Sequence, residues 1–155
     1  MGILVADARP DPEADMLKNL WLYLATVVVF FAIDFIWLLT MTGPFYQKQL
    51  GVAPEGLLSA KPNLPVAAGF YLVYLIAVIA LAVLPGVEKG VWFEAAWRGA
   101  LLGLAAYGTY DLTNQATIEG WSPMVTMVDL VWGTVNTGAV ATISFFIAGM
   151  LGVGK

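Results

Sequence analysis

Residues 20–41 read LWLYLATVVVFFAIDFIWLLTM, a run in which Asp34 is the sole charged side chain. A helix needs about 20 apolar residues to cross the hydrocarbon core of a bilayer. Nothing in the run alternates polar with apolar as a half-buried strand would, so it reads as a membrane-spanning helix closed by Gly43-Pro44. Three further runs fit the same template. One goes from about Pro65 to Leu84, with Pro85-Gly86 after it; one from about Phe93 to Asn114; one from Pro123, a good first-turn residue, to about Met150. Short connections force neighbouring spans antiparallel, so the sequence predicts an all-α polytopic membrane protein, an up-down bundle of four transmembrane helices. The connection over 42–64 is longer, and its start, Phe45-Tyr46-Gln47-Lys48-Gln49, suits a short interfacial helix.

Composition agrees with this reading. The 155 residues suit one domain, with 60 % hydrophobic and only 12 % charged side chains, whereas soluble domains carry about 25 % charged. A net charge of −4 argues against a nucleic-acid partner. The absence of Cys excludes disulfides, thiolate catalysis and thiolate metal sites, and the absence of His removes the commonest metal ligand and neutral-pH base. No metal and no cofactor is therefore expected, and any proton chemistry must use Asp, Glu, Tyr or Lys.

Residues 1–19 contain Asp7, Asp11, Glu13 and Asp15 with Pro10 and Pro12, the reverse of a basic signal-peptide start, and are expected to form a flexible cytoplasmic tail. Met16 offers an alternative start. Orientation follows from the basic residues near span ends. Arg9, Lys18, Lys89, Arg98 and Lys155 fall on one side, against Lys48 and Lys61 on the other, which places both termini in the cytoplasm.

The candidate site is a layer of polar groups inside the spans. Asp34 lies seven residues before the outer end of span one, Asp111 three before that of span three, and Asp129 six after the outer start of span four. At about 1.5 Å per residue these depths agree within roughly one turn. Intramembrane carboxyls cost roughly 2.5–3.5 kcal/mol when exposed to lipid, so they should face the bundle interior. Each has companions at helical spacing: Trp37 with Asp34; Tyr107 and Asn114 with Asp111, flanked by Tyr110 and Thr113; Trp132, Gly133 and Asn136 with Asp129. Span two offers Tyr71 and Tyr74 at the same level, and Gly103, Gly108, Gly133 and Gly138 would allow close helix contact. The candidate ligand-binding set is therefore Asp34, Trp37, Tyr71, Tyr74, Tyr107, Asp111, Asn114, Asp129, Trp132 and Asn136, with Asp111, Tyr110 and Tyr107 as the catalytic candidates. No Lys or Arg lies in the middle of a span, so the carboxyls must be neutral, cation-bound or hydrogen-bonded. A hydrogen-bond network that only fixes bundle geometry is the plain alternative, although three Asp in one layer exceed what helix association requires. Trp21, Trp92, Trp97 and Trp121 lie near the interfaces as anchors, and Tyr46 could serve as an anchor or fold over the layer as a lid.

The stretch Tyr107-Gly-Thr-Tyr-Asp-Leu-Thr-Asn114, with Asp129-Leu-Val-Trp-Gly-Thr134, Asp34-x-x-Trp37, Phe45-Tyr46 and Lys61-Pro, resembles a bacterial family catalogued as domain of unknown function 2177 over about residues 16–150. The resemblance implies a bacterial inner-membrane protein of four spans and implies no activity. Three functions remain open at this point. The layer could bind, and even modify, a membrane lipid or small hydrophobic ligand, by isomerisation, dehydration or hydration through Asp111 and a tyrosine. The chain could be a non-catalytic subunit packing against a larger membrane complex or a homo-oligomer. A cation or proton pathway is the third, weakened by the nearly wholly apolar stretches 25–33, 75–84 and 98–106.

Overall fold

The computed structural model describes residues 12–154. Its helices are α1 (Pro12–Met41), α2 (Gln47–Leu50), α3 (Leu64–Val78), α4 (Leu84–Lys89), α5 (Trp92–Thr117) and α6 (Pro123–Leu151). A π-helical turn, Thr42–Tyr46, joins α1 to α2, and a second, Ile79–Val83, joins α3 to α4. The result is four rods, and the described residues contain no strand. Three rods, Pro12–Leu50, Leu64–Lys89 and Pro123–Leu151, are long and apolar enough to cross a membrane. The fourth, α5, has 26 residues, which at 1.5 Å each is about 39 Å and also long enough. It is less apolar because it carries Glu94, Arg98, Asp111 and Asn114.

Two boundaries differ from expectation for identifiable reasons. Residues 1–11 of the expected tail lie outside the described residues, but 12–19 are the first turns of α1. Pro12 opens the helix, where its missing N–H costs nothing. Glu13 and Asp15 then sit at the positive end of the helix dipole, and Lys18 Nζ pairs with Asp15 at 3.1 Å. Likewise, Pro85 does not end the second rod, which runs on to Lys89. In an α-helix Pro85 would clash with the carbonyl four residues back. The π-helical turn just before it resets the spacing, with the Leu84 N–H bonded to the Ile79 carbonyl. Pro44 is accommodated in the same way, by the turn that closes with the Gln47 N–H on the Thr42 carbonyl.

Neighbouring rods run antiparallel. Thr26 Oγ1 and Ser144 Oγ are hydrogen-bonded at 2.9 Å while Asp34 meets Trp132, so α1 ascends as α6 descends. The α5–α6 contact is the most extensive in the bundle, and glycine makes it. A Cβ on Gly103 would stand 2.0 Å from the Gly133 carbonyl oxygen, and one on Gly99 2.6 Å from the Ala141 methyl. Gly138 and Gly133 complete this seam, where backbones touch and dispersion replaces the hydrophobic drive absent from lipid. Gly108 does not take part, since a Cβ there would meet only the Leu112 side chain at 3.9 Å. Below, Leu22, Phe30, Leu75, Val78, Val83 and Val140 fill the centre of the bundle. We call the end where α1 and α5 finish and α3 and α6 begin the upper end.

Candidate polar site at the upper end

All three intramembrane carboxyls are enclosed: Asp34 is 3 % exposed, Asp111 0 % and Asp129 9 %. They come from α1, α5 and α6, each on the interior face of its helix, and Asp129 lies within electrostatic reach of both Asp34 and Asp111. Their residue types in lipid-spanning helices leave no cheaper arrangement, because a carboxyl turned to hydrocarbon loses every hydrogen bond.

Two of the three are held by aromatic donors. The Trp37 and Trp132 rings stack at 4.1 Å between centroids with 7° between planes. The Trp37 Nε1–H donates to the Tyr46 hydroxyl at 3.0 Å, and that hydroxyl donates to Asp129 Oδ1. The Trp132 Nε1–H points to Asp34 Oδ1 at 3.5 Å, a long contact, and the Tyr71 hydroxyl faces the same carboxyl. The stacked indoles thus turn their N–H edges toward the layer, Trp132 to Asp34 directly and Trp37 to Asp129 through the Tyr46 hydroxyl. Their outer surface lines an open apolar groove of ≈ 400 Å³ between α1 and α6, shared with Met127, Val128, Val131 and Val135.

Asp111 and Asn136 behave differently. Neither carboxyl oxygen of Asp111 and neither amide atom of Asn136 has a hydrogen-bond partner, though Asn136 is only 1 % exposed. Asn136 lies seven residues past Asp129 on α6, so it sits about 10 Å deeper at helical rise. Beside it in sequence, Thr137 is satisfied by the Tyr74 hydroxyl at 2.8 Å.

The remaining candidates divide. Tyr107 is half-buried, with its ring against Gly133 at the α5–α6 seam. Asn114 is half-buried one turn above Asp111 and faces the Tyr110 hydroxyl. Tyr110 itself is 60 % exposed, with its ring edge-on to Trp121. It points away from the enclosed layer because it precedes Asp111 by one residue, a 100° turn of the helix. Tyr46 was missing from the expected ligand set and is central to the layer. The signal that could have found it is Pro44, which lies two residues before it in the π-helical turn that carries Tyr46. Among the described residues no group of three or more acidic side chains converges to hold a metal ion.

No curated protein and no solved structure matches the chain. Residues 19–146 match the family described as predicted membrane protein (DUF2177), a span that includes every residue of the layer, and the chain belongs to that family.

Proposed function

We propose that the upper half of the bundle binds a membrane lipid or another small hydrophobic molecule. Its apolar part would lie along the α1–α6 groove and its polar end would face the carboxyl layer. The observation that carries this reading is Asp111, a fully enclosed carboxyl with neither oxygen partnered; Asn136, deeper in the bundle, is orphaned as well. A buried polar group without a partner costs about 1–3 kcal/mol. The bilayer core has no bulk water to offset that cost. Glycine already supplies the close α5–α6 contact, so holding the helices together is not reason enough for these two groups. The groove beside the stacked indoles supports the apolar half of the reading, since its lining is Trp, Val and Met.

Any acid–base step on the ligand would fall to Asp111 with Tyr107, which lie inside the bundle, rather than to the exposed Tyr110. Lys89 and Arg98 stand at the lower end and Lys48 and Lys61 near the upper. With the other basic residues, the positive-inside rule assigns the layer to the outer leaflet side of a bacterial inner membrane.

Mass spectrometry of the organic extract from detergent-purified protein tests the reading. The wild type should retain one hydrophobic molecule near stoichiometry, and an Asp111→Asn/Asn136→Leu double variant less than a tenth of it. A wild-type extract with the composition of bulk lipid overturns the reading, and a stoichiometric protein partner in its place would favour an accessory subunit.

A further inference from the structure

Resting on that reading of the layer as a ligand site, we infer that the polar end of the ligand is a cation, an ammonium group carried on an apolar chain. Three enclosed carboxyls on three helices face one interior, and none forms an ion pair among the described residues. The described basic side chains are committed elsewhere or point out: Lys18 pairs with Asp15, Lys89 and Arg98 pair with Glu94, and Lys48 and Lys61 are exposed. A fatty acid or phosphate would bring a fourth acidic group into this interior, where like charges are weakly screened and repel strongly. A cation supplies what the protein withholds.

The neighbours of the carboxyls suit an organic cation better than a metal ion. No three acidic side chains converge on one point among the described residues, as a compact metal ion would require. Instead the carboxyls are spread, with aromatic rings between them: Trp37 and Trp132 stacked, Tyr46 on Asp129, Tyr71 facing Asp34. The outer indole faces open on the groove and can attract an ammonium through the ring quadrupole, and carboxyl acceptors that are spread rather than convergent suit its loose geometry. Asp111, with both oxygens free, is the acceptor left for it.

The experiment uses the full chain in dodecyl maltoside micelles, with binding read by calorimetry and by Trp fluorescence. The probes share a ten-carbon chain and differ at the head: decyltrimethylammonium, decylamine, decanol and decanoate. Both ammonium probes should bind saturably, at least tenfold more tightly than decanoate and decanol. Asp111→Asn should weaken the ammonium probes at least tenfold and leave decanol within twofold; Asp34→Asn serves as a second variant if the first does not fold. Equal affinity for all four heads overturns the cation inference while the hydrophobic-ligand reading stands. Failure of every probe to bind overturns both. A short-chain phosphatidylethanolamine separates the sources. Binding that is lost in Asp111→Asn supports the inference with an aminophospholipid headgroup as the source, and binding of the simple amines alone supports it with a free lipophilic amine.

Discussion

The bundle contains two buried polar clusters, and they are built to different standards. Toward the lower half, Thr26 donates to the Leu22 carbonyl and accepts from the Ser144 hydroxyl at 2.9 Å, and Tyr74 and Thr137 share a 2.8 Å bond. Each of these hydroxyls has its partner. Toward the upper end, Asp34 and Asp129 are held by indole and phenol donors, but Asp111 has none; Asn136, next to Thr137 and so at the level of the lower cluster, is likewise left open. Uncharged hydroxyls that satisfy one another tie helices together. Enclosed carboxyls and amides left open add cost to the fold, which is the ground on which a ligand is proposed for them. The comparison sets satisfied glue apart from the proposed site within one small protein.

The largest test concerns the seam on which both clusters depend. Gly103→Val would drive a branched side chain into the Gly133 carbonyl, which a Cβ alone would approach to 2.0 Å. We expect a loss of at least about 3 kcal/mol, read as a collapse of the unfolding midpoint in an SDS titration. Gly108→Ala is the control: a Cβ there makes only an ordinary contact, 3.9 Å from the Leu112 side chain, and should leave stability unchanged or raise it by up to about 1 kcal/mol through helix propensity. If both glycines respond alike, the seam is not where the structure puts it.

Next comes Tyr46→Phe, which strips Asp129 of its donor and Trp37 of its acceptor. A loss of about 1–3 kcal/mol is expected for an enclosed group left open. No loss would mean that Tyr46 only rests at the interface. Asn136→Leu should go the other way. In ligand-free protein it removes an amide that already lacks partners, so stability should hold or rise by about 1 kcal/mol. A fall of that size would show that Asn136 belongs with the glue. The smallest effect is expected for Ser144→Ala, near the 0.6 kcal/mol average for a hydrogen bond between membrane helices.

Much of this was legible beforehand because lipid simplifies the problem. A segment in hydrocarbon must satisfy its own backbone, so length and apolarity mark the helices. The expected spans fall on α1, α3–α4, α5 and α6, although α1 begins at Pro12 and the second rod runs on to Lys89. The inward direction of Asp34, Asp111 and Asp129 follows from the same cost. What was not legible depended on local backbone choices. Pro85 reads as a terminator, yet a π-helical turn carries the helix past it. Gly108 reads like Gly103 but faces no backbone. Tyr46, expected only as an anchor or lid, bonds a carboxyl 83 residues away.

The amino-acid sequence alone determined that the chain is helical, that it belongs in a membrane, and that three carboxyls would be turned inward. Each of these follows from transfer free energies, which depend on residue type and run length and need no partner to evaluate. Only the tertiary structure decided which carboxyls are satisfied and which is left open. A hydrogen bond depends on distance and direction between atoms of different helices, and those are set by how closely glycine lets the helices approach and by where a π-helical turn aims one tyrosine.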